Sequence, residues 1–163
     1  MNDIDLKYLH NCLTVAPFVP LVWYGEDRNI GAFRSKDELI MWYSQPPGVV
    51  NQPYRDRGFY ARELAMLSRT VQPRTVVEFG TSLGIGTCLL CWLNPDAQLI
   101  TIDIAYETFM PGNHKVPIGY LSKWQEIECK YVCSNSWDYS LLGGVDLCLI
   151  DADHSYESVV KDS

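Results

Sequence analysis

The stretch VVEFGTSLGIGTCLL, residues 76–90, constrains this chain more than any other. A β-branched run meets a turn containing Gly80, Gly84 and Gly86, and an apolar run of helical character follows at once. Strand, glycine turn and helix in immediate succession form the opening unit of a parallel α/β sheet, where ligands bind beyond the carboxyl ends of the strands. Such a turn brings backbone close to a ligand, and the helix offers unpaired N–H groups.

The rest of the chain extends the pattern. TVVEFG (75–80), QLITIDI (98–104), IECKYVC (127–133) and VDLCLIDAD (145–153) read as strands. A helix is expected near Gly84 to Leu93, and SYESVVKDS begins another with Ser155 as its N-cap. Upstream, Tyr60, Leu64, Leu67 and Val71 recur at helical spacing, with Arg62, Glu63 and Arg69 off that stripe, until Pro73 stops the helix. Strands alternating with helices imply an α/β fold with a mostly parallel sheet and helices on both faces. Residues 1–57 lack a sustained period apart from a short helix over Ser35 to Tyr43, and carry the segments VAPFVPLVW and SQPPGVVNQP. They read as a proline-rich arm or lid wrapped on one domain spanning residues 58–163.

Composition narrows the function. A chain of 163 residues that is 47% hydrophobic and 20% charged can build one ordinary globular core. Its net charge is −7 without any Lys/Arg run, so nucleic acid is excluded as the main partner. No apolar stretch approaches the ~18 residues of a membrane span, and MNDIDLKYLH lacks a basic segment followed by an apolar one, so a soluble cytoplasmic chain is expected. Cys88, Cys91, Cys129, Cys133 and Cys148 all fall in segments that read as core, which predicts buried free thiols. Cys88-Leu-Leu-Cys91 has half the spacing of a zinc site, but no second Cys/His pair accompanies it.

The ligand class turns on two acids. Asp103 lies 23 residues after Gly80, close to the ~20 at which a carboxylate accepts hydrogen bonds from ribose hydroxyls. GTSLGIG shares its glycine spacing with the short-chain NAD(P)-dependent dehydrogenases, but no tyrosine is followed four positions later by their lysine. Glu78, beside the turn, favours a cationic ligand over a pyrophosphate.

These residues resemble the class I S-adenosylmethionine-dependent methyltransferases, whose first motif reads Glu-x-Gly-x-x-x-Gly-x-Gly. Glu78, Gly80, Gly84 and Gly86 match it, and Asp103 matches the family's ribose-binding acid. The resemblance covers residues 58–163 and implies a Rossmann-like sheet with the four strands in the order 3-2-1-4. It implies a cofactor pocket built from Glu78, Gly80, Thr81, Ser82, Gly84, Gly86, Asp103, Ser136, Trp137 and Asp151, with Ser136 and Trp137 against the adenine. The family's usual acid after the third strand is absent unless Asp138 serves.

The segment IDADHSYESVVKD is similar to the small-molecule O-methyltransferase branch, which implies methyl transfer to a hydroxyl of a small acceptor. On that resemblance Asp151 faces the sulfonium or a divalent metal such as Mg, and His154 is the general base. Two alternatives stand beside this reading. Asp153 or Ser155 can simply cap the last helix, with His154 at the surface, and the chain can be a module that binds S-adenosylmethionine without turnover. The family's later strands have no counterpart after Asp151, so the C-terminal part of the fold is expected to be missing. That leaves VDLCLID, read as a strand buried on both faces, at an edge to be met by a homo-oligomer, by the arm, or by a missing segment, the last being favoured.

Overall fold

A computed structural model of the chain describes residues 3–19, 35–37, 40, 61–110, 114–135, 144–152, 155, 157 and 160. The chain divides into two compact units, Met1–Gln72 and Pro73–Ser163. The expected boundary near residue 57 falls outside the described residues, and the helix before Pro73 groups with the first unit.

In the first unit α1 (Asp3–Val15) packs against α2 (Ala61–Val71). Leu9 and Leu13, four apart and so on one face of α1, are fully buried. On α2 the buried residues are Ala61, Leu64, Ala65 and Ser68. Leu67 and Val71, expected on the packed stripe with Leu64, are exposed, and only Leu64 of the three is buried. Arg69 donates to Asp5 Oδ1 from Nη2 at 2.7 Å and Nε at 3.0 Å, and Asp5 is only 3% exposed. Lys36 Nζ donates to the carbonyls of Thr14 and Ala16 at the end of α1, where the helix dipole favours a cation. Replacing Asp5 with alanine removes the acceptor of a charge-assisted pair, so Asp5→Ala should lower unfolding stability by about 1–3 kcal/mol. A urea midpoint identical to wild type would rule out any contribution from this pair.

The second unit holds a four-stranded parallel sheet flanked by helices. Its strands are β1 (Thr75–Phe79), β2 (Gln98–Asp103), β5 (Lys130–Cys133) and β6 (Leu147–Ile150), in the spatial order β5-β2-β1-β6. Between β1 and β2 runs α3 (Ile85–Leu93), which packs on both strands. An antiparallel hairpin, β3 (Glu107–Met110) with β4 (His114–Pro117), and a short helix α4 (Tyr120–Trp124) separate β2 from β5.

Val76, Val77, Glu78 and Phe79 are all buried, as a central parallel strand covered on both faces requires. On one face Val77, Phe79, Ile100 and Ile102 form the core cluster, with Val132, Val145, Ile150 and Ala152 against it. The other face carries Glu78, paired in register with Thr101 on one side and Leu149 on the other. It lies under Gly86 and Thr87 of α3.

Three sequence expectations are corrected by this arrangement. β6 is not buried on both faces: Leu147 is buried, whereas Cys148 is exposed and Leu149 and Ile150 are intermediate, and among the described residues β6 is the outermost strand on its side of the sheet. Cys133 and Cys148 are therefore not core thiols; both are exposed, Cys133 at the last position of the opposite edge strand. The third strand is shorter than expected and begins only at Lys130. All six cysteines are free. No helix among the described residues is long and apolar enough to cross a membrane.

Candidate functional site

β1 ends where the backbone turns sharply. Gly80 (φ +96), Ser82 (φ +44) and Gly84 (φ +86) all adopt left-handed conformations, and Gly84 N–H closes the turn on the Thr81 carbonyl at 2.7 Å. The turn is anchored laterally as well: Gly80 N–H donates to Ile102 of β2, and Asp151 N–H donates to Phe79 of β1, each at 2.8 Å.

The glycines serve the chain's own packing. A Cβ on Gly80 would lie 2.1 Å from the Asp151 carbonyl oxygen, so its absence lets the end of β6 close against the turn. One on Gly84 would lie 2.3 Å from Ser122 Oγ of α4. One on Gly86 would lie 2.3 Å from Glu78 Oε1, so that glycine makes room for a buried carboxylate. Of the turn residues singled out in the sequence, Thr81, Gly84 and Gly86 are buried, while Gly80 is half-buried and Ser82 exposed.

Glu78 is not beside open space. It is 1% exposed, and its Oε2 accepts hydrogen bonds from Thr87 at 2.5 Å and Thr101 at 2.6 Å. The Thr101 hydroxyl also meets that of Thr81 at 2.5 Å. Burial pushes the Glu78 carboxyl up to about 7; the two threonine bonds oppose the shift, and the nearby Asp151 and Asp103 charges add to it. Thr87 and Thr101 were not legible as site residues. Their only signal is a hydroxyl within an apolar run, nine and 23 positions from the acid they serve.

Asp103 ends β2 directly beside the turn. Its Oδ2 accepts from Ser82 N–H at 2.9 Å and its Oδ1 from Ala105 N–H at 3.0 Å. A carboxylate has about four lone-pair sites, so among the described residues each oxygen keeps one for a further donor. Ser82 and half-buried Asp103 together present an acceptor and a hydroxyl at the surface of the turn.

The helix α4, which periodicity could not find in five residues, docks on the same turn. Gly119 N–H donates to the Ser82 carbonyl and Leu121 N–H to the Leu83 carbonyl, both at 2.8 Å. Behind them Ser122 Oγ lies 2.8 Å from the Tyr131 hydroxyl, and the Lys123 ammonium sits 4.6 Å above the Tyr131 ring. Burial, first among several causes, pushes the Tyr131 hydroxyl well above its ordinary value. The turn is thus held from β2, from β6 and from α4.

Among the remaining candidates, Asp151 is half-buried at the end of β6, and its backbone approaches Gly80. Asn135 is half-buried after β5. Ser136, Trp137, Asp138, Asp153 and His154 lie outside the described residues. Among the described residues no group of three or more His, Cys, Asp or Glu side chains can hold a metal ion. No protein-family model and no curated protein sequence matches the chain.

Proposed function

We propose that the chain binds S-adenosylmethionine over the turn after β1, in a Rossmann-like fold, and transfers its methyl group to a hydroxyl of a small molecule. The observation that carries this reading is the hydrogen bond from Ser82 N–H to Asp103 Oδ2, which joins the glycine turn to a surface carboxylate with acceptor capacity left for a ribose diol. The donor set fits that cofactor: Asp103 for the ribose hydroxyls, with Ser82 and Gly80 as the accessible rim of the turn. Bound there, the cofactor supplies an electrophilic methyl group on a sulfonium. The protein's part is to hold donor and acceptor in line and to remove the acceptor's proton. Asp103 and the turn perform the first task; His154, four residues past β6, is assigned the second.

Calorimetry with S-adenosylmethionine and with NAD tests the ligand. Binding of NAD alone would replace this reading with a dehydrogenase. In the Asp103→Ala variant the affinity for S-adenosylmethionine should fall tenfold to a hundredfold, since a charge-assisted hydrogen bond contributes about 1.5–3 kcal/mol. Circular dichroism must first show the variant folded, because Asp103 also holds two backbone amides. Unchanged affinity removes Asp103 from the site. Release of S-adenosylhomocysteine with a panel of phenols and sugars separates an enzyme from a module that only binds.

A further inference from the structure

A row of hydroxyls connects the buried carboxyl to the turn. Thr87 and Thr101 both contact Glu78 Oε2, and Thr101 in turn contacts Thr81, the second residue of the turn. All four side chains are at most 2% exposed, so bulk water does not interrupt the row. We propose that Glu78 is a positioning residue that never meets the ligand and acts on the turn through Thr101 and Thr81, its ionisation deciding which way this row of O–H groups points. The proposal rests on the preceding reading only for the identity of what the turn binds.

The direction follows from counting protons. An ionised carboxylate only accepts, so Thr87 and Thr101 must each donate to it. Thr101 has one O–H, already used, so at its 2.5 Å contact with Thr81 it is Thr81 that donates. The Thr81 proton then points inward, and its oxygen offers only lone pairs to the turn. A carboxyl protonated on Oε2 can donate to Thr101 instead. Thr101 then donates to Thr81, and the Thr81 O–H is released toward the turn. Among the described residues, the titratable groups that interact electrostatically with Glu78 are Asp103 from β2, Asp151 from the end of β6, Cys88 from α3 and Cys129 from the segment before β5. All of these are acids or thiols, and none of them supplies a positive charge to hold Glu78 ionised. Burial raises its titration to about 7, within the range where both directions are populated.

The test uses the ligand-free protein. Carbon-detected NMR follows the Glu78 carboxyl, and amide spectra follow Thr81 to Gly84, from about pH 5 to 9. In wild type both should titrate with one shared midpoint near neutrality. Thr101→Val should keep the carboxyl step and lose the response at Thr81 and Ser82. Thr101→Ser should restore that response, and Thr87→Val should leave it in place. A turn that responds equally in Thr101→Val, or a wild-type carboxyl without a step, overturns the proposal. Should Thr101→Val fail to fold, Thr81→Val reads the same separation from the other end of the row. Affinity for S-adenosylmethionine should change across the same window in wild type and stay flat in Thr101→Val. A protein that ignores S-adenosylmethionine at every pH refutes the ligand, and the NMR steps still decide the role of Glu78.

Discussion

Raising the pH from 4.5 to above 7 is expected to remove about 3 kcal/mol of folding stability through Glu78 alone. Its folded value of about 7 lies above the ordinary 4.5, so the protonated form is the one the fold prefers. Below 4.5 the folded and unfolded chains both hold the proton, and the full stability is present. Between 4.5 and 7 the unfolded chain has released its proton while the folded chain keeps it, so stability falls by ~1.4 kcal/mol per pH unit. Above that window both states are ionised and the loss is complete.

Desolvation wins over the two threonine hydrogen bonds because a carboxylate with one exposed percent of surface has lost nearly all its hydration. Chemical denaturation of wild type and Glu78→Gln across this range reads the effect, since the titrating groups that do not interact with Glu78 cancel in the difference. That difference should widen with pH in favour of the glutamine variant. A difference that stays constant from pH 4.5 to 7.5 would falsify the assignment.

A second large effect is expected at Gly80, where Gly80→Ala should destabilise the protein by about 2–5 kcal/mol. The left-handed conformation at φ +96 costs a non-glycine residue roughly 1–2 kcal/mol. The added methyl must also displace backbone, because it would meet the Asp151 carbonyl carbon at 2.5 Å and the Ala152 Cα at 2.8 Å. Overpacking of this kind costs about 1–3 kcal/mol when the neighbour cannot rotate away. The end of β6 would move from β1, weakening the bond from Asp151 N–H to the Phe79 carbonyl. Gly144→Ala is the matched control. A Cβ there meets nothing within 4 Å, and a shift within about 0.5 kcal/mol is expected. Equal melting temperatures for the two variants would remove the close approach from the account of the turn.

How much of this was legible beforehand depends on the range of the interaction. The strand at Thr75–Phe79, the helix at Ile85–Leu93 and the strand at Gln98–Asp103 announce themselves through local composition: β-branched runs, a glycine turn, a continuous apolar helix. So does the acid at the end of β2, because a sheet of this kind brings the first two strand ends together. The hairpin had a signal in Pro111-Gly112-Asn113 between two four-residue runs, but strands that short carry no measurable alternation. α4, with five residues, is under two turns and gives no period at all.

What the sequence by itself determined is therefore the parallel α/β character and the strand, glycine turn and helix that carry the candidate site. Only the tertiary structure decided what the turn's residues do. A glutamate before a glycine looks like a ligand contact when read along the chain. It becomes a buried anchor because α3 folds over it and Thr101 stands beside it in the next strand. At Gly80 and Gly84 the absent side chain also makes room for Asp151 and Ser122, residues 71 and 38 positions away. Those contacts depend on which distant segments the sheet brings together. Local propensity reaches only a few residues and carries no information about them.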